Sequence, residues 1–314
     1  MSDQPTSFIT GATGFVGAAV ARTLEAKGHR LKLLCRPNND RSNLQGLNDY
    51  EIVEGDLSDP DSYKEGLKGC HYLFHVAADY RIWVPDEKAM NKVNVDGTIA
   101  LMRAAKESGV HKIVYTSSVA TLGIPKGGRS GDEETPVTID DMIGVYKRSK
   151  FIAEEAVLKL VNDEGYPIVI VNPSTPIGPR DVKPTPTGRI IVEAATGRIP
   201  AYVDTGLNVV HVNDVAMGHW LALEKGDVGE RYILGGENLE LGDILAQVCK
   251  LSNLKPPTIR IPRLPLYPLA YVAEFIARFT KNEPFITVDG LKMSKKKMFF
   301  SSQKAIYNLG HAPR

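Results

Sequence analysis

The segment SFITGATGFVG, residues 7–17, sets Gly11, Gly14 and Gly17 between a short strand-like run and the start of an apolar-periodic stretch. Each glycine answers a separate steric demand. The first permits a tight turn directly after a strand. The second lets the backbone approach an anionic ligand, and the third lets the following helix pack closely on the strand. Free amides at the N-terminus of that helix then face phosphate oxygens. Glycine-rich βα turns without a ligand exist, so the triplet gains its meaning from the strand before it and the helix after it. Read this way, residues Gly11, Thr13, Gly14, Phe15, Val16 and Gly17 form the phosphate wall of a dinucleotide site.

Outward from this turn, short β-branched runs alternate with helical patterns. Strands are expected near residues 8–10, 31–35, 51–54, 72–76, 112–117 and 168–171, and helices near 16–27, 59–67, 95–108 and 146–162. Repeated βαβ units of this kind predict a Rossmann-like, doubly wound parallel sheet of the α/β class. The pattern breaks at NPSTPIGPRDVKPTPTG (172–188), which is too rich in proline and glycine for regular structure. Strand-like sequence returns at 208–212 and 231–234, where the chain is expected to re-enter the sheet. The expected organisation is a dinucleotide-binding domain of residues 1–173 and 208–236, with a smaller, discontinuous substrate lobe of residues 174–207 and 237–314.

The 314 residues are 43% hydrophobic and 24% charged, with a formal net charge of +1, which excludes a disordered chain and gives no field suited to a nucleic-acid backbone. Cys35, Cys70 and Cys249 are odd in number and lack metal-ligand spacing, so reduced core thiols and no metal site are expected. The start, MSDQPTSFIT, has no basic-then-apolar leader, and no apolar run is long enough to cross a bilayer. These features predict a cytoplasmic protein with at most peripheral membrane contact.

The second strand runs into LKLLCRPNNDRSNL (31–44), where no acidic side chain stands directly at the strand end to hold both ribose hydroxyls. Arg36 instead offers a guanidinium to a 2′-phosphate, with Arg41 expected to reach the same group, so NADP(H) is favoured over NAD(H). In EGDLSD (54–59), Asp56 is placed to accept from an adenine amino group, with Leu57 beside it; a helix N-cap is the other reading of Asp56. In GVYKRSK (144–150), Tyr146 and Lys150 are four residues apart near the start of a helix and share one face. A protonated lysine beside the phenol, together with the positive nicotinamide ring, is expected to lower the tyrosine pKa toward the working pH. Thr116, Ser117 and Ser118 close the fifth strand at the carboxyl edge of the sheet, where ligands bind in such folds, and Ser118 is taken as the hydroxyl that meets the substrate oxygen.

The ordered set TGATGFVG, GDL, HVAA, NVDGT, YTSSVATLG, YKRSK, NP and HVNDVA resembles the extended short-chain dehydrogenase/reductases over nearly the whole chain. Within them, AADYRIW, YTSSVATLG, NPSTPIGPRDVKPTPTGRI and GLNVVHVNDVA resemble the hopanoid-associated sugar epimerases and the dihydroflavonol-4-reductase-like enzymes. The resemblance implies that Ala77 and Ala78 line the cofactor, that Asn94 braces the lysine through water, and that Pro173 and Ser174 border the nicotinamide. It further implies a homodimer built on the Asn94 and Tyr146 helices, and one more helix beyond NLGHAPR (308–314).

Sugar-nucleotide dehydratases of this group carry an Asp-Glu pair after the catalytic hydroxyl; Val119 and Ala120 stand here, and neither can carry a proton. Two reactions remain open on the same groups: epimerisation of a nucleotide or lipid-linked sugar, suggested by the hopanoid-associated resemblance, and net reduction of a ketone or aldehyde, suggested by the leaning to NADPH. A non-catalytic nicotinamide sensor is the reading from another class, and such relatives commonly lack the tyrosine or lysine. Arg180, Arg189 and Arg198 are candidates for a diphosphate clamp, or scattered surface charges. The apolar stretch 264–279 is expected to be a buried core helix, with a greasy wall for a lipid-like substrate as the alternative. Lysines 295–297 suit either a charged helix face or an anionic membrane surface.

Overall fold

The computed structural model describes residues 4–81, 84, 87–280 and 284–314. Ile82 and Trp83 of AADYRIW, and the first three residues of the amino-terminal reading, lie outside the described residues. The chain runs β1 (Thr6–Thr10), α1 (Phe15–Ala26), β2 (Arg30–Cys35), β3 (Tyr50–Glu54), α2 (Lys64–Leu67), β4 (Tyr72–His75), α3 (Glu87–Asn91), α4 (Thr98–Glu107), β5 (Lys112–Thr116), α5 (Gly144–Glu164) and β6 (Ile168–Pro173). It continues through β7 (Thr175–Ile177), α6 (Pro186–Ala195), β8 (Ala201–Tyr202), β9 (Gly206–His211), α7 (Val212–Lys225) and β10 (Arg231–Leu234). The remainder is β11 (Glu237–Glu240), α8 (Leu241–Leu251), β12 (Ile259–Arg260), α9 (Leu266–Thr280), α10 (Val288–Met293) and α11 (Gln303–Leu309).

Seven strands form one parallel sheet in the order β10-β6-β5-β4-β1-β2-β3. From β1 the chain winds outward to β3, then returns to β4 on the other side of β1 and winds the opposite way. This is the doubly wound Rossmann-like arrangement, with its topological switch point at the carboxyl ends of β1 and β4. Both faces of the sheet are covered, which is why the inner strands read as continuous apolar runs. On one face Leu33, Val169 and Val171 pack with α1, α7 and α11; on the other, Leu34, Ile168 and Ile170 pack with α2, α4 and α5.

Several expectations need correction. The helix expected over 59–67 is a 3-10 turn at Pro60–Ser62 followed by the four residues of α2, with Tyr63 between them at a φ of −125°, outside the helical range. The helix expected from residue 95 starts earlier, and α3 and α4 are joined by a π-helical segment, Lys92–Gly97, that carries Asn94. Residues 208–212 do not rejoin the main sheet: β9 pairs with β7 and β11 in a separate three-stranded sheet, and only β10 returns to β6. At the far end of the chain, Ala305 and Leu309 of α11 are buried in the main core beside α7 and β10. Finally, the stretch 264–279 is not a core helix. Only Ala270, Ala273 and Ala277 of α9 are fully buried, Leu266 and Tyr267 of its first turn are half-buried, and Leu269, Tyr271, Val272, Phe275, Ile276 and Phe279 are exposed.

Candidate active site

One cleft of about 1100 Å³ opens at the carboxyl ends of the strands and runs from the glycine turn to the substrate lobe. Its walls carry Gly11, Thr13, Gly14, Phe15, Val16, Gly17, Arg36, Asp56, Leu57, Ala77, Ala78, Thr116, Ser117, Ser118, Tyr146, Lys150, Pro173 and Ser174. Asn94 does not line the cleft and stands behind its wall.

At the glycine turn, Gly11 has a φ of 77°, and a Cβ there would lie 2.7 Å from the backbone nitrogen of Ala77. A Cβ on Gly17 would lie 2.1 Å from the carbonyl oxygen of Gly11, so only hydrogen lets α1 sit this close to the turn. No side chain caps α1 at Gly14, and its first amides are left for a ligand. The Ser174 hydroxyl, at the other end of the cofactor half, is buried without a hydrogen-bond partner among the described residues. An uncapped amide cradle and an orphaned hydroxyl across the switch point fit a dinucleotide.

At the end of the cleft beside β3, Asp56 accepts from the Ser58 amide (2.8 Å) and hydroxyl (2.6 Å) and also lines the cleft. Arg36 reaches Asn39 Oδ1 at 3.4 Å and stays at the cleft edge. Arg41 does not join it: its guanidinium is paired with Glu54 at 2.7 Å, because β2 and β3 end side by side. Asn39 and Asn43, which the sequence reading passed over, donate to the hydroxyl and the carbonyl of Thr13 at 2.9 and 3.2 Å and tie the loop after β2 to the glycine turn.

At the reacting end, Ser118 follows β5 in extended conformation and its Oγ accepts from the Ala120 amide at 3.1 Å. Tyr146 and Lys150 project from the first turns of α5. Lys150 is buried and donates to the Thr116 carbonyl (2.8 Å) and the Tyr115 hydroxyl (3.2 Å). Burial lowers its pKa to about 8, with Glu154 acting in the opposite direction. Tyr146 moves against expectation: burial raises its pKa, and a hydrogen bond with Ser118 offsets this in part. The lysine sits on Thr116 and Tyr115, so desolvation rather than its charge governs the phenol.

Asn94 accepts from the Asp79 amide (2.8 Å) and donates to the Asp79 carbonyl (2.9 Å) and to Ser149 Oγ (3.0 Å), bracing the neighbour of Lys150. Glu154, also buried, accepts from Thr121 Oγ1 (3.0 Å) and Asn172 Nδ2 (2.8 Å) and so fixes the loop after Ser118. Lys147 lies between the two motif residues and was overlooked. It lines the cleft beside Lys296, and burial, reinforced by that second lysine, lowers its pKa to about 8.

The segments after Pro173 outside the main sheet contribute Ile190, Leu207, Leu241, Met293 and Met298 to the cleft, together with Lys183 and Lys296. Arg180, Arg189 and Arg198 do not line it, and Arg180 instead donates to the Gln45 carbonyl at 3.2 Å. Among the described residues no group of three or more histidine, cysteine or acidic side chains is placed to hold a metal ion.

The sequence profile of the NAD dependent epimerase/dehydratase family matches residues 7–235. The chain is 43% identical to a Synechocystis sp. protein provisionally named dihydroflavonol 4-reductase, across 96% of this chain and 89% of that one. It is 33% identical to sterol demethylase protein B of Methylococcus capsulatus, across 98% of this chain and 94% of that one. Among solved structures, gox2253 superposes with a TM-score of 0.88 and 57% identity, covering 99% of this chain and 94% of that one.

Proposed function

Because this chain belongs to the NAD dependent epimerase/dehydratase family, we propose that it is an NADPH-dependent reductase of a hydrophobic ketone or aldehyde. The observation that carries the reading is the apolar run Ile190, Leu207, Leu241, Met293 and Met298 in the lobe wall of the cleft, beside which Lys183 and Lys296 supply the cations. The lysines can pair an anionic group, but the apolar run leaves the hydroxyls of a sugar desolvated at a cost. A substrate with an apolar body instead gains from burial there. The hopanoid-associated epimerase reading rests on motif resemblance alone. The names of the two curated relatives, a reductase and a sterol-modifying protein, support the apolar choice.

A nicotinamide dinucleotide, when bound, supplies the hydride. Gly11, Gly14 and Gly17 would hold its pyrophosphate, Arg36 its 2′-phosphate and Asp56 its adenine. Ser118 would donate to the carbonyl oxygen and hold it beside Tyr146. The raised pKa keeps the Tyr146 phenol protonated at neutral pH, as an acid requires, so its hydroxyl is ready to give a proton to that oxygen as charge develops. Lys150 uses two of its three donors on Thr116 and Tyr115, leaving one for a ligand in the cleft.

The test is consumption of NADPH with a panel of hydrophobic ketones and nucleotide sugars. Stoichiometric oxidation with the ketones is expected, with kcat lowered about 10²–10⁴-fold in Tyr146→Phe. A nucleotide sugar inverted at one carbon without net NADPH loss would overturn the reductase reading in favour of epimerisation.

A further inference from the structure

We propose that α9 docks this protein onto an anionic lipid bilayer. Leu269, Tyr271, Val272, Phe275, Ile276 and Phe279 of this helix are 45–74% exposed. At about 100° per residue these six sweep an arc of roughly 160°. Ala270, Ala273 and Ala277 fall on the opposite side and, with half-buried Leu266 and Tyr267 of the first turn, seat the helix on the protein. Beyond that first turn the helix directs its small side chains inward and its large apolar ones to solvent, the reverse of a helix whose work is to fill a core. Phe275 and Phe279 stack edge to face with ring centroids 5.1 Å apart, and Leu264 and Phe285, just outside the helix, are 81% and 72% exposed. Contiguous apolar surface of this kind marks an interaction site.

The charge around it names the occupant. Residues 250–299 hold ten lysines and arginines against three aspartates and glutamates, in a chain whose net charge is +1. The rest of the molecule is therefore net acidic, and the cations gather in the segment that carries the apolar face. Of these, Lys292 and Lys297 pair with Asp289 and Glu240 and Lys296 lines the cleft, while Arg278 stands on α9 and Lys295 against it. Lys295 lies over the ring of Tyr267 in the first turn of α9, with its nitrogen 5.6 Å from the ring centroid. Arg263 donates to Ser294 Oγ at 3.1 Å, which holds the basic run after α10 against the start of α9. A second copy docked face to face would bring two basic lobes together and be repelled, whereas anionic headgroups neutralise both the cations and the exposed face. No described helix is long and apolar enough to cross a membrane, so α9 lies in the interface plane rather than across it.

Docking has a geometric consequence. α10 packs on α9, and Gly290 and Met293 of α10 also line the cleft. The bilayer surface then sits about one helix diameter, ~10 Å, from the wall that receives substrate.

Flotation of the purified protein with phosphatidylglycerol/phosphatidylcholine vesicles tests this, because it needs no substrate. Binding to the anionic vesicles at low ionic strength is expected, weakening with salt, with little binding to pure phosphatidylcholine. The Phe275→Ser/Phe279→Ser double variant is expected to lose at least tenfold in partitioning while keeping its melting temperature. Arg278→Glu/Lys295→Glu, which leaves the apolar face intact, is expected to lose the anionic preference and serves if the serine variant fails to fold. Absence of binding by the wild type at low salt would overturn the proposal. So would equal binding by wild type and both variants, or a concentration-dependent doubling of mass that the serine variant abolishes, since a second copy would then cover the face.

Discussion

Arg36 stands at the end of β2 on the edge of the cleft, with a single weak contact to Asn39 and no ion pair among the described residues. A guanidinium left in this state can be taken up by a phosphate group without breaking anything first. A charge-assisted pair of this kind contributes about 1.5–3 kcal/mol, so Arg36→Glu is expected to raise KM for NADPH ten- to a hundredfold and to lower it for NADH. Steady-state kinetics with both cofactors decide the matter, and an equal loss on both would remove Arg36 from 2′-phosphate recognition. The residues that the sequence singles out by spacing, the glycines, the Tyr146 and Lys150 pair and the serine cluster after β5, all come to line one cleft. Lys147 sat unread inside the same motif because nothing local tells that Lys296 comes to face it from the far end of the chain. Arg41 was over-read for the mirror reason, since only the pairing of β2 with β3 brings Glu54 to it.

At the scale of elements, the packing of α1 on the glycine turn makes a sharp demand. Gly17→Ala would drive a methyl into the Gly11 carbonyl, a backbone atom that no rotamer change can move aside. Overpacking of this sort costs about 1–3 kcal/mol, and relief requires α1 to lift away from the glycine turn. The expected outcome is a melting temperature lower by several degrees together with weakened NADPH binding, measured by thermal melts and cofactor titration. A variant that melts lower but binds normally would separate the helix seat from the cofactor site. The parallel strands could be read almost to the residue because a strand buried on both faces must be an uninterrupted apolar run. α9 could not, because its periodic pattern is the same whether the large side chains or the alanines face inward. The short β7 and α6 were hidden in a proline-rich stretch whose composition speaks against structure, yet Pro186 simply opens α6 at its first position.

For the molecule as a whole, buried histidines tie stability to pH. His75 bridges Thr10 Oγ1 and Thr98 Oγ1 at 2.7 and 2.8 Å, and His219 bridges Thr116 Oγ1 and the Val215 carbonyl at 2.9 and 2.8 Å. Burial lowers them to about 3 and about 4. Between those values and the unfolded value near 6.5, the unfolded chain binds protons that the folded one does not. Their contribution to stability is therefore complete above pH 6.5 and lost as pH falls, by about 1.4 kcal/mol per unit for each histidine. Urea unfolding at pH 7 and pH 5 is expected to show a loss of roughly 2–4 kcal/mol, and equal midpoints would contradict it. The route of the chain through the main sheet bears on synthesis as well. β6, with all six residues buried in the finished molecule, gains its outer neighbour β10 only after the chain has travelled from Pro173 to Arg231. At ~5–20 residues per second on the ribosome, that edge stands bare for several seconds. A nascent chain stalled in this interval would present IVIVNP as an open template for aggregation, which makes the stretch between β6 and β10 the point at which production of this protein depends most on a chaperone.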